Sequence, residues 1–164
     1  MAADPVLTED AAVFRDALPE GGALLGLDLG TKTIGVALCD AGWNFATAGK
    51  TLPKGKFGRD MAALEEICKA RSVAGVVIGL PLNMDGSAGP RAQASRAFGR
   101  NLLDPKIGLG LPVLLWDERW STTAAERDMI AQDMSRGKRA ERIDSHAAAV
   151  ILQGAIDRLA GGIL

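Results

Sequence analysis

The alternation of apolar and polar residues along the chain predicts a three-strand meander followed by alternating helices and strands. Short turns separate the strand-like runs of the meander, which are Leu24–Leu29, Ile34–Asp40 and Asn44–Thr51. Later apolar runs at Val73–Leu80 and Leu111–Trp116 suit buried parallel strands. Apolar residues at helical spacing predict helices at Arg59–Ala70, Gly89–Leu103, about Ser121–Met134, and Arg142–Leu159. This order predicts one α/β domain, with a mixed five-stranded sheet (three antiparallel strands, then parallel βα units) and helices on both faces.

The first 22 residues differ from the rest because they are acidic and interrupted by Pro5 and Pro19. Thr8–Leu18 has the pattern of one short amphipathic helix. We therefore expect residues 1–22 to be a flexible, loosely attached extension, and residues 23–164 to form the domain.

Composition limits the classes of protein that the chain can represent. With 164 residues, 48% hydrophobic residues and a net charge of −1, it is typical of one globular domain without an overall basic signal for nucleic acid. Cys39 and Cys68 have no nearby cysteine or histidine partner, which argues against structural zinc and favours free thiols in a reducing compartment. Without a signal-peptide pattern or a membrane-spanning run, we expect a cytoplasmic protein with no membrane partner.

One acid, Asp28, interrupts the apolar run of the first strand. Strand alternation sends Leu25, Leu27 and Leu29 to one face, and Asp28 to the other, between two glycines. A buried carboxylate is costly unless it is paired or binds a metal, and bare backbone on both sides leaves room for a ligand. Asp28 is therefore a candidate ligand-binding acid, although an acid at a strand end can also cap the following turn.

Further acids occur where other elements reach the same edge of the sheet. Asp117 and Glu118 follow the last apolar strand, and alternation allows only one of them to share a face with Asp28. Asp144 lies in the first turn of the last helix, where the helix dipole alone would also favour it. Three converging carboxylates would repel one another without a cation, and oxygen ligands suit Mg²⁺ or Mn²⁺. Two such ions would support phosphodiester hydrolysis.

Four blocks of the chain, in order, resemble the YqgF family, also called RuvX. They are Leu27–Ala37, Val77–Gly86, Asp117–Arg119 with Ser121–Thr122, and Asp144–Ala148. The resemblance covers roughly Leu24 to Leu159, and implies an RNase H-like fold similar to that of the junction resolvase RuvC. It also implies a divalent-metal nuclease acting on structured RNA or DNA, with Asp28, Glu118 and Asp144 as its acidic triad. Family members are described as Holliday junction resolvases and, more usually, as nucleases that process pre-16S rRNA in ribosome biogenesis.

Several polar and basic residues are candidates for binding the phosphates of a nucleic acid. Gly137 lies within a basic break, Ser135–Ala140, which we expect to be a flexible loop that orders on nucleic acid. His146 is the only histidine, and a surface or capping role is favoured over catalysis. The candidate phosphate ligands are Thr31, Lys32, Asn83, Arg91, Arg119, Lys138, Arg139 and Arg142.

Two other classes of protein have to be weighed against a nuclease. ATP-dependent proteins of the actin and Hsp70 type also carry Asp-x-Gly-Thr after a first strand, but they need two such domains. A nucleic-acid-binding module that has lost cleavage is the other alternative, and the presence of all three acids argues against it. Pre-rRNA and branched DNA both remain open as substrates, as does a homodimer.

Overall fold

The computed structural model describes residues 6–19, 22–120 and 136–161, without the side chains of Trp120, residues 136–145 and Gly161. The strands are β1 (Leu7–Thr8), β2 (Ala23–Leu29), β3 (Thr33–Cys39), β4 (Ala46–Pro53), β5 (Val73–Leu80) and β6 (Val113–Asp117). The helices are α1 (Ala11–Ala17), α2 (Phe57–Arg71), α3 (Pro90–Leu103) and α4 (Arg136–Gly161). A 3₁₀ turn at Glu118–Trp120 follows β6 directly.

The strands form one mixed sheet with the order β1-β6-β5-β2-β3-β4. The meander β2-β3-β4 is antiparallel, whereas β5 runs parallel to both β2 and β6. As a result, the carboxyl ends of β2, β5 and β6 lie side by side at one edge of the sheet, where open α/β sheets usually bind ligands.

Two apolar layers cover the sheet, and strand alternation separates them. Leu25, Leu27 and Leu29 join the layer formed with α2 and α3. Leu24 packs in the other layer with α1 and with α4 residues such as Ala148 and Leu152. Because β2 and β5 are buried along their whole length, they read as continuous apolar runs in the sequence.

The N-terminal segment differs from the expected loose extension. Leu7–Thr8 pairs with β6 as a sixth, parallel edge strand, so the sheet has six strands rather than five. Phe14 of α1 is fully buried, and Arg96 of α3 forms a 3.2 Å ion pair with Glu9. The physical reason is that the exposed edge of β6 and the apolar layer behind it both gain from being covered.

The predicted basic break before the last helix is also different. Residues 136–140 are helical and form the first turns of α4, while Ser135 and the predicted helix at about 121–134 lie outside the described residues. Arg, Lys, Ala and Glu are good helix formers, and one glycine costs only about 1 kcal/mol against alanine in a helix. Gly137 therefore does not end the helix. None of the described helices is long and apolar enough to span a membrane.

Candidate active site

Asp28 lies near the carboxyl end of β2 and is only 3% exposed. The face of the sheet toward which Asp28 points can be read from Gly26, two residues earlier on the same strand. A methyl group added at Gly26 would lie 2.7 Å from Cβ of Leu152 and 3.1 Å from the carbonyl oxygen of Ala148. Both residues belong to α4. Because alternate residues of a strand share a face, Asp28 also points toward the α4 side of the sheet.

Gly79 of β5 leaves the space beside Asp28 open. Leu27 is in register with Ile78, so Gly79 follows alongside Asp28 on the neighbouring strand. A methyl group at Gly79 would lie 2.5 Å from Ile151 of α4 and 3.2 Å from the carboxyl carbon of Glu118. The Glu118 carboxyl group therefore lies over Gly79, on the same face as Asp28.

Asp117, the residue before Glu118, has a different environment. Its carboxylate accepts hydrogen bonds from Nε and Nη2 of Arg119 at 2.8 to 3.1 Å, and one from the backbone N–H of Arg119. Burial alone would raise the pKa of Asp117, but the hydrogen bonds and charge of Arg119 outweigh it and hold this pKa below its usual value. Asp117 is thus occupied by an ion pair at the end of β6.

Arg119 also connects this ion pair to the loop after β5. Its Nη1 donates to the backbone carbonyl of Met84 at 3.3 Å. The loop has its own bonds: Asn83 Nδ2 donates to Ser87 Oγ, which in turn donates to Asp85. These Ser87 hydrogen bonds lower the pKa of the exposed Asp85 carboxyl group. Asn83 is exposed, and hydrogen bonds within the loop fix the position of its side chain.

Two cations lie at the turn that follows β2. Arg91 Nη2 donates to the carbonyl oxygen of Leu29, and Lys54 Nζ donates to that of Gly30, each at 3.2 Å. Thr31 and Lys32, which we predicted as phosphate ligands, occupy the same turn and are exposed. Polar and basic residues from three parts of the chain thus meet at this edge: the turn itself, the residue that follows β4 and the start of α3.

The remaining candidates belong to α4. Asp144 lies one helical turn before Ala148 in the backbone of α4, and its side chain is outside the described part of the chain. The same holds for the side chains of Lys138, Arg139 and Arg142. His146 is half-buried on this helix. The structure therefore leaves the position of the third acid's carboxylate as a prediction.

The donor set at this edge suits a hard divalent cation. Asp28 and Glu118 supply only oxygen ligands, and Gly26 and Gly79 keep the surrounding backbone bare, which fits Mg²⁺ or Mn²⁺ better than a softer metal. Among the described side chains, no three His, Cys, Asp or Glu residues converge as a metal site. A third ligand would have to come from Asp144.

Sequence reasoning missed two residues of this edge, Gly79 and Lys54. The signal for Gly79 was present, because a glycine near the end of a β-branched run indicates a close approach of another group. Lys54 had no comparable signal. Its contact with Gly30 depends on the antiparallel register of β3 and β4, in which Thr33 pairs with Pro53.

Comparison with known proteins identifies the family of this chain. Residues 22–158 match the family model described as RuvX: Holliday junction resolvase. A protein of Novosphingobium aromaticivorans, provisionally named a pre-16S rRNA nuclease, is 66% identical over 95% of this chain and 98% of its own length. A relative in Sphingopyxis alaskensis with the same provisional name is 62% identical over 94% of this chain and 99% of its own.

A solved structure of Thermus thermophilus RuvC in complex with a Holliday junction substrate has the same fold. It superposes with a TM-score of 0.52 over 86% of this chain and 97% of RuvC, at 13% identity. This likeness confirms the predicted RNase H-like α/β fold. Together with the family match over most of the domain, it shows that the chain belongs to the RuvX family.

Proposed function

We propose that this protein is a divalent-metal-dependent endonuclease that cleaves phosphodiester bonds in structured nucleic acid. The observation that carries the proposal is the position of the Asp28 and Glu118 carboxyl groups on one face of the sheet, on either side of Gly79. Membership of the RuvX family supports the same chemistry.

Asp28, Glu118 and Asp144 would hold Mg²⁺ or Mn²⁺, with two ions as the expected number. Ions bound there would lower the pKa of a water and would offset the negative charge that develops on the leaving oxygen. The chain itself positions the carboxylates: Asp28 lies on a buried strand, whereas Glu118 lies in the turn that follows β6. This rigid placement keeps the site ready for a substrate phosphate.

Precursor 16S rRNA is the substrate that we propose, with processing at its 5′ end as the role. The names of the relatives, which are 60% identical or more over nearly the whole chain, favour it. Such a role belongs to ribosome assembly and therefore to the cytoplasm. The alternative is a DNA nuclease acting on Holliday junctions, which the description of the family model favours.

Phosphate binding would come from the polar and basic residues around the acids. Thr31, Lys32 and Arg91 lie at the turn after β2, and Asn83 lies in the loop after β5. Arg119 already binds Asp117, so we assign it first to positioning this loop and only second to a phosphate. Lys138, Arg139 and Arg142 would bind from the first turns of α4, and a homodimer remains compatible with this arrangement.

The test compares substrates side by side. Purified protein is incubated with a precursor 16S rRNA fragment, a four-way DNA junction and a linear duplex, with Mg²⁺ titrated in each series. We expect metal-dependent cleavage of the RNA precursor, and no cleavage by an Asp28→Asn protein. Cleavage of only the four-way junction would move the substrate to DNA. Binding without cleavage at any Mg²⁺ or Mn²⁺ concentration would reduce the protein to a nucleic-acid-binding module.

A further inference from the structure

A pair of cations, Lys54 and Arg91, flanks the turn between β2 and β3. Their side chains donate to consecutive backbone carbonyls, those of Gly30 and Leu29. Between them is a small cavity of about 70 Å³. It is lined by Leu29, Gly30, Thr31, Lys54, Arg91, Ala94 and Ser95.

Both cations are positioned by the backbone as well as by their own hydrogen bonds. The backbone N–H of Lys54 donates to the carbonyl of Lys32 at 2.9 Å, which joins the end of β4 to the turn. Arg91 lies in the first turn of α3, directly after Pro90, whose fixed φ suits a helix start. The two charges are therefore held close together, although they come from distant parts of the sequence.

No described carboxylate forms an ion pair with Lys54 or Arg91. The salt bridges between described residues join Lys69 to Glu65, Arg96 to Glu9 and Arg119 to Asp117. The nearest acid along the chain from Lys54 is Asp60, which is buried and accepts hydrogen bonds from the backbone N–H of Gly55.

Other cations extend the positive charge of this region. Lys32, Lys56 and Arg59 are all exposed, and the segment from Lys50 to Arg59 contains no acid. Each carbonyl takes one N–H, so the ammonium and the guanidinium both keep further donors for a ligand. Like charges held together in this way favour an anion between them.

We propose that Lys54 and Arg91 form a binding site for one phosphate of the nucleic-acid backbone. The proposal rests on the proposed nuclease function and adds where the substrate strand lies. Gly30 follows Asp28 by two residues, or about 7 Å of extended chain. The phosphate bound here is therefore a close neighbour of the one that is cut, and it lies across the sheet edge from the carboxylates.

The chemistry of the cavity selects a phosphate over a nucleobase. Its small volume and its two cations suit a compact oxyanion, and Arg and Lys are the usual phosphate ligands of nucleic-acid-binding proteins. Such a contact positions the strand without reading its sequence. Lys54 and Arg91 are accordingly positioning residues for the cleavage reaction.

The experiment measures binding rather than cleavage. Binding of a labelled precursor 16S rRNA fragment is followed by fluorescence anisotropy in EDTA over a series of salt concentrations. Lys54→Gln and Arg91→Gln remove the charge but keep an N–H donor for the turn. The matched controls are Lys69→Gln near the end of α2 and Arg100→Gln near the end of α3, two exposed cations away from the turn after β2. Thermal unfolding of each protein monitors the fold.

We expect each test variant to flatten the log–log salt slope by about 0.7 to 0.9, the loss of one phosphate contact, and the controls to leave it unchanged. Lys54→Arg should restore the slope. Unchanged slope and affinity in folded variants, with a wild-type protein that cleaves, would overturn the phosphate site. If the test variants flatten the slope but the wild-type protein cleaves nothing, the nuclease proposal is overturned and the phosphate site stands. If either glutamine variant fails to fold, Lys54→Met or Arg91→Met replaces it, and an unchanged salt slope and affinity in that folded variant would equally overturn the phosphate site.

Discussion

The carboxyl edge of the sheet has two faces that differ in the charge they carry. On the α4 face, Asp28 and Glu118 approach each other over the bare backbone of Gly79. On the α3 face, Arg91 binds a backbone carbonyl, and the Asp117 carboxylate is neutralised by Arg119. Among the described side chains, one face thus carries the two candidate metal-binding carboxylates, while the other carries a cation and a carboxylate that is already paired.

The difference shows how a sheet can separate two tasks that would interfere on one surface. Lys54 and Arg91 lie across the sheet edge from Asp28 and Glu118, where they can bind a substrate phosphate without competing with a metal for these carboxylates. The separation begins with strand alternation, which sends neighbouring residues such as Asp117 and Glu118 to opposite faces. The four predictions that follow test this comparison.

The largest effect is expected from Asp28→Asn, which removes charge from the acidic face. The cleavage rate should fall by at least about 100-fold. Even the loss of a residue that only hydrogen-bonds to a metal ligand lowers activity by up to about 100-fold, and Asp28 is proposed to be a ligand itself. The fold should be kept, because the substitution changes neither the size nor the shape of the side chain. Initial cleavage rates and thermal unfolding measure the two effects. The control is Asp16→Asn, an exposed acid on α1, and equal activity of the two variants would remove Asp28 from the mechanism.

Substituting each of the two adjacent acids by its amide, one at a time, tests the two faces separately. Glu118→Gln should lower the cleavage rate by tens of fold, which is the order of the loss expected when a group of a metal site is changed. Asp117→Asn should instead cost about 1–2 kcal/mol of unfolding free energy through its hydrogen bonds to Arg119, with a smaller effect on the rate. Kinetics and denaturant unfolding of both proteins provide the comparison. The reverse pattern would transfer the catalytic assignment to Asp117.

Gly79→Ala tests whether the space between Asp28 and Glu118 matters. The new methyl group would lie 2.5 Å from Ile151 and 3.2 Å from the Glu118 carboxyl carbon, so one of them must move. We expect about a tenfold loss of cleavage, and about 1–3 kcal/mol of destabilisation from overpacking. Gly58→Ala is the control, because nothing lies within 4 Å of its added methyl group. Normal cleavage by Gly79→Ala would show that Glu118 does not need this position.

The smallest effect concerns pH and the α3 face. Because the pKa of Asp117 in the folded protein lies below its ordinary value of 3.8, its stabilising effect is complete above that value and is lost as pH falls through the lower one. The difference in unfolding free energy between wild type and Asp117→Asn should therefore be constant near neutral pH and shrink in acid. Unfolding in denaturant at several pH values measures it. A difference that stays constant into strong acid would mean that the charge of Asp117 does not stabilise the fold.

The elements that the sequence predicted best are those whose apolar pattern is decided locally. Val73–Leu80 was predicted with the bounds that the structure has, and the meander and the helices α2 and α3 were found within two or three residues. The N-terminal segment was predicted least well, since Leu7 and Phe14 gain their burial from β6 and α4, which are more than 90 residues away. The residues around Leu7 and Phe14 in the sequence do not indicate which distant elements will cover them.

The sequence by itself determined the family, the order of strands and helices from β2 to β6, and the alternation that puts Asp28 on the face opposite to Leu27 and Leu29. These properties follow from spacing, because a strand repeats every two residues and a helix every 3.6. Only the tertiary structure decided that Glu118 rather than Asp117 lies over Gly79, and that Lys54 and Arg91 meet at one turn. Those contacts depend on the register between strands and on the packing of α3 and α4, which join residues that no local pattern relates.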